Sequence, residues 1–230
     1  MKTLSLLSIL LLIFATSCKN TERNDKPTIT VTIEPLRYFT EAIAGDKFNV
    51  VSMVPEGSSP ETYDPTPQQM VNLSKSTAYL RIGHIGFEQS WMDKLQENLP
   101  KLRFYDTSIG VNLIHQQCSH SHIRQEDENH SHGVEPHIWN SPENAKIIAD
   151  NVYKALEELD NKNSEYYKNR LDSLIRVIDQ TNEEIQSIIE HADKTFLIYH
   201  PALTYFARDY GLEQISIEEG GKEPSPAHLQ

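Results

Sequence analysis

Between residues 164 and 191 the chain contains neither proline nor glycine, and Tyr167, Leu171, Leu174, Ile178, Thr181, Ile185 and Ile188 recur at alternating spacings of four and three. Side chains at that period line one face of an α-helix, here of roughly seven turns. A helix this long with a single apolar seam must lie against something, either a coiled-coil partner or the flank of a domain. A strand pattern at residues 195–199 follows it directly. That favours a strut along a domain boundary over a free coiled coil.

Residues 28–33 alternate polar and apolar, with β-branched Ile29, Val31 and Ile33, which is the pattern of a strand. Residues 35–44 have helical periodicity and stop at Gly45-Asp46. Strands at 48–54, 78–82 and 102–105 then alternate with helices at 66–74 and 87–96. Thr66 and Pro67 open the first of these helices in the cap and first-turn positions. Ser141 and Pro142 do the same for a helix over 141–159. Strands alternating with helices of this length imply parallel pairing.

Beyond the long helix, strand 195–199, helix 201–210 and strand 214–217 open a second unit of the same kind. The expected fold class is α/β, with two parallel-sheet lobes joined by one long helix. The first lobe covers residues 27–160, the linking helix 161–192 and the second lobe 193–230. Residues 224–230 read as the start of a helix, so the second lobe is expected to be incomplete in this chain.

Lys2 followed by an apolar run at 4–14 is too short to span a bilayer, which takes about 20 residues. It suits a secretory signal over residues 1–17. Ala15, Thr16 and Ser17 lead into Cys18 in the manner of a bacterial lipobox, which makes Cys18 the expected lipidation site and residues 18–26 a polar tether. The protein is then expected to be periplasmic and lipid-anchored to the membrane. With Cys18 lipidated, Cys118 has no cysteine to pair with, and no disulfide is expected. Lys and Arg total 21 against 33 Asp and Glu, a net charge of -12. No basic stripe exists to neutralise phosphates, which excludes nucleic acid as a partner.

Histidine carries the chemistry. Residues 115–132 hold His115, His120, His122, His130 and His132 with Cys118 among acidic residues. Imidazole is the commonest protein metal ligand near neutral pH, and thiolate is a soft one. This tract is too polar for a core and lacks periodicity, so it reads as a mobile loop that collects ions weakly. Two isolated histidines lie in firmly patterned segments, in Glu135-Pro136-His137-Ile138-Trp139 and Tyr199-His200-Pro201-Ala202. No compact His-Glu-x-x-His motif is present, which argues against a zinc hydrolase. A surface metal buffer or adhesin is the alternative to a carrier.

Several motifs in order resemble the zinc-type solute-binding lipoproteins of metal-uptake ABC transporters. They are Pro55-Glu56-Gly57-Ser58-Ser59-Pro60-Glu61-Thr62-Tyr63-Asp64-Pro65, the His137 and His200 segments, the long seam helix, and Gly221-Lys222-Glu223-Pro224-Ser225-Pro226. The resemblance covers essentially the whole mature chain. It implies two α/β lobes joined by a long helix, an ion in the cleft between them, an inner-membrane ABC permease as partner, a monomer, and no enzymatic activity. It also implies ligands from both lobes, so that separating the lobes breaks the coordination shell.

His137 and His200 match two of the family's ligand positions. Glu61 stands where the first-lobe histidine is usual, and His84, after the next strand, is the other candidate for that place. A C-terminal carboxylate often completes the set. Histidine at 200, where manganese-type members usually carry glutamate, implies Zn2+ rather than Mn2+. A Cys18→Ser protein is expected to move from the membrane to the soluble extracytoplasmic fraction on phase partitioning. Retention in the membrane would count against the lipid anchor.

Overall fold

The core begins at β1 (Thr28–Val31), whose Ile29 and Val31 are completely buried. β1 pairs in parallel with β2 (Asn49–Ser52) on one side and with β3 (Ala78–Arg81) on the other. β3 pairs in parallel with β4 (Arg103–Asp106), giving the order β2-β1-β3-β4. Ile29 lies opposite both Val50 and Ala78. The structure, a computed structural model, describes residues 26–115 and 133–218. The signal segment, Cys18, Cys118, His120, His122, His130, His132 and the motif at 221–226 lie outside the described residues.

Helices α1 (Glu34–Ala44), α2 (Pro67–Leu73) and α3 (Gly86–Asn98) connect these strands. Pro35 starts α1, and Gly45, at φ 58°, ends it. A β-carbon at Gly45 would collide with the Tyr166 hydroxyl, so both the backbone and the packing require glycine there. α2 opens with a reciprocal capping box between Thr66 and Gln69. The connection after β1 leads to one side of the sheet and that after β3 to the other. The loops leaving these neighbouring strands therefore part at a topological switch point, the place in an open parallel sheet where a ligand crevice forms.

α4 (Pro142–Leu159) is capped by Ser141, whose Oγ accepts the Asn144 N–H at 3.1 Å. A 3-10 turn, Asn161–Asn163, leads into α5 (Ser164–Ile189), the expected long helix. A second parallel pair follows, β5 (Thr195–Ile198) and β6 (Glu213–Ser216), with α6 (Thr204–Tyr210) between them. Among the described residues no helix is long and apolar enough to cross a membrane.

The seam of α5 is not used evenly. Tyr167, Leu171 and Leu174 are buried against α1 and α4, with the Tyr167 hydroxyl donating to Asp160 Oδ2 at 2.7 Å. Farther along, Ile178 is half-buried and Ile188 is 68% exposed. The first unit ends before the helix does, so the outer turns extend past its core. The chain after β5 also differs from the helix expected from Pro201. Residues 201–203 form a turn, with Ala202 N–H donating to His200 C=O at 2.7 Å, and α6 begins at Thr204. Leu171→Ala is expected to destabilise the fold by about 2–5 kcal/mol, and Ile188→Ala by less than about 0.5 kcal/mol. Urea denaturation of the two variants checks this. Equal losses would contradict a strut whose outer seam is left uncovered.

Candidate metal centre

His137 sits in a tight turn just ahead of α4. Ile138, fully buried, anchors that turn, its N–H donating to Pro136 C=O at 2.8 Å and its own carbonyl accepting Asn144 Nδ2 at 3.0 Å. His200 lies two residues past the end of β5, at the start of the turn into α6. The two rings meet edge to face, with centroids 5.0 Å apart at 76° and the Nε2 atoms 3.2 Å apart. Tetrahedral zinc with bonds of about 2.0 Å has a nitrogen–nitrogen edge of about 3.3 Å, so the separation matches two ligands of one ion.

Each ring is held from behind by a carboxylate. His137 Nδ1 lies 2.5 Å from Glu135 Oε1, which also accepts the His137 backbone N–H at 3.2 Å. His200 Nδ1 lies 3.1 Å from Glu218 Oε2. A carboxylate on Nδ1 fixes the tautomer that leaves the Nε2 lone pair outward and raises its basicity, which is the usual outer support of a metal-bound histidine. Trp139 closes one side of His137, at 5.3 Å between centroids. The His137 side chain is 14% exposed and that of His200 45%, so the pair opens to solvent on the His200 side.

His84 follows β3 at the switch point. Its Nε2 is buried and has no hydrogen-bond partner among the described residues. Burial lowers its pKa; the Asp106 carboxylate opposes this, while Arg81 and His115 add to it. The loop bearing His84 is shaped by Glu88, a buried carboxylate accepting Ile82 N–H at 2.8 Å, Gly83 N–H at 2.6 Å and the Thr32 hydroxyl. Gly83 has φ 111°, and a β-carbon there would lie 2.5 Å from Ser108 Oγ.

Glu61 is exposed, and its Oε2 accepts Gly86 N–H at 3.1 Å, a favourable place for a carboxylate at the start of α3. Among the described residues no three His, Cys, Asp or Glu side chains converge as a metal-holding group. The structure thus brings His137 and His200 together and leaves Glu61 and His84 outside that pair. His115, exposed, bridges Val134 at the base of the His-rich tract.

Sequence reasoning did not single out Glu135 and Glu218, which stand behind the two rings, or Glu88, which shapes the His84 loop. Glu135 stood in plain view two positions before His137. Glu218 is 18 positions from His200 and reaches it only because β5 and β6 pair in parallel, the ladder continuing through Glu218 N–H to Tyr199 C=O at 2.9 Å.

Residues 29–230 match the family model described as zinc-uptake complex component A, periplasmic, and the chain belongs to that family. A crystal structure of ZnuA is 36% identical, with a TM-score of 0.79 over 89% of this chain and 75% of that one. The high-affinity zinc uptake system protein ZnuA of Bacillus subtilis (strain 168) is 25% identical across 90% of this chain and 66% of its own length. The zinc-binding lipoprotein AdcA of Streptococcus pneumoniae (strain ATCC BAA-255 / R6) is 27% identical across all of this chain and 47% of its own length. The chain therefore spans about two thirds of one of these curated relatives and about half of the other.

Burial pushes the Glu88 pKa up from 4.5 to about 6, against the pull of its hydrogen bonds from Thr32, Ile82 and Gly83. Between those pH values the folded state keeps a proton that the unfolded state releases, so stability falls as pH rises through this window. The loss from this one group is about 2 kcal/mol. Glu88→Gln, which does not titrate, is expected to flatten that part of the stability–pH curve in urea unfolding. An unchanged slope would place the titration elsewhere.

Proposed function

We propose that this chain is the extracytoplasmic binding component of an ABC-type metal-uptake system, capturing Zn2+ at His137 and His200 and delivering it to an inner-membrane permease. One observation carries the reading. Two imidazoles from distant segments aim their Nε2 atoms at each other at 3.2 Å while carboxylates hold both Nδ1 atoms. The relatives, a zinc uptake system protein and a zinc-binding lipoprotein, agree with it. Paired imidazoles suit zinc, whereas manganese favours oxygen donors.

For the ligand from the first sheet, the unpartnered buried Nε2 supports His84, and the electrostatic proximity of His115 sets His84 near the base of the His-rich tract. Glu61 is the other candidate, its carboxylate being engaged at the start of α3. Lipidation at Cys18 would hold the protein at the membrane beside its permease. The tract of His115, Cys118, His120, His122, His130 and His132 would collect ions weakly near the same place.

Titration of the chain with Zn2+ against a competing chelator is expected to show one tight equivalent above weaker ones. His137→Ala and His200→Ala should each weaken the tight site by on the order of 100-fold or more, about 3 kcal/mol. Glu135→Gln should cost about 10- to 100-fold. Weak binding of several ions, indifferent to both histidines, would sink the reading.

A further inference from the structure

His137 and His200 belong to different units of the fold, yet the segments that carry them are bonded to each other. Tyr205, in the first turn of α6, is completely buried. Its hydroxyl accepts Ile114 N–H at 3.1 Å and donates to Glu135 C=O at 3.0 Å. Ile114 and Glu135 flank the His-rich tract on either side, and Glu135 N–H donates to Ile114 C=O at 2.9 Å. The tyrosine therefore ties both strands of this stem to the second unit. The residue it holds, Glu135, is the one whose carboxylate supports the His137 ring.

Further ties run the same way. Arg208 lies over the Tyr205 ring at 5.0 Å and donates from Nη1 to Asn112 C=O at 2.9 Å. Asn140 Nδ2 donates to Ala202 C=O at 2.9 Å, two residues past His200, and the Ser141 hydroxyl donates to Asp209. A buried hydroxyl is costly unless it is hydrogen-bonded. This one both donates and accepts, bonding two backbone groups at once.

We propose that Tyr205 is a positioning residue for the metal pair. Through the Glu135 carbonyl and Ile114 N–H it fixes the segment that presents His137 against α6 and the His200 turn, and so sets the separation of the two Nε2 atoms. This role rests on the pair being the metal site.

The test is made in the full chain, with Zn2+ affinity measured by chelator competition and the ligand field read from the absorption bands of bound Co2+. Tyr205→Phe keeps the ring and removes both hydrogen bonds. Tyr167→Phe is the control, a completely buried tyrosine whose hydroxyl bonds Asp160 away from the site. Tyr205→Phe is expected to weaken Zn2+ binding by about 10-fold, the scale of lost outer support at a metal site, and to alter the Co2+ bands. Tyr167→Phe should match the wild type in both, even where its thermal stability falls. Wild-type binding in Tyr205→Phe, or equal losses in the two variants, overturns the positioning role and leaves the metal site standing. Indifference of the tight site to His137→Ala removes the metal site and, with it, this role.

Discussion

Two imidazole nitrogens facing each other at 3.2 Å, from residues 63 positions apart, are the contact around which the second half of the molecule is arranged. Neither ring could be trusted to face the other unaided, since an imidazole on a turn has several rotamers and two tautomers. Glu135 removes that freedom for His137 and Glu218 for His200. The carboxylates are in turn fixed by backbone: Glu135 by its bond to Ile114, and Glu218 by the ladder that extends β5 and β6. What is presented is a pair of imidazole nitrogens oriented by their neighbours alone. Such preorganisation lowers the ordering cost that binding would otherwise incur.

The first sheet supplies a different kind of constraint. Its order, β2-β1-β3-β4, places a switch point between β1 and β3, and the buried Glu88 carboxylate shapes the loop leaving it by gathering Ile82, Gly83 and Thr32. That loop carries His84, whose buried nitrogen has no partner among the described residues. The two parts of the fold therefore use two devices. One is a pair locked by carboxylates, and the other is a crevice loop held by backbone hydrogen bonds to an acid kept dry. α5 serves both, because its buried first half seats it on α1 and α4 while its length carries the chain on to β5.

Much of this was legible in the chain itself. The alternation of β-branched residues at 28–33, the Thr66 and Ser141 caps and the four–three seam from Tyr167 to Ile188 each report local geometry, and each appears in the structure close to where it was expected. His137 and His200 were legible because each stands beside a proline in a short, distinctive segment at an element boundary. Glu218 was not, since nothing in Ser216-Ile217-Glu218 marks it out until parallel pairing sets it beside His200. Tyr205 reads in sequence as one aromatic among several on a short helix, and only its burial against Ile114 and Glu135 separates it from the rest.

The sequence by itself determined the elements, their parallel pairing and the residue types able to hold a metal. Those follow from periodicity, capping and side-chain chemistry, which act within a few residues of one another. Tertiary structure decided which of the histidines face each other, which carboxylates stand behind them, and how far the seam of α5 stays covered. Those outcomes depend on distances between segments far apart in the chain, where a shift of an ångström makes or breaks a hydrogen bond and local pattern carries no information about the approach.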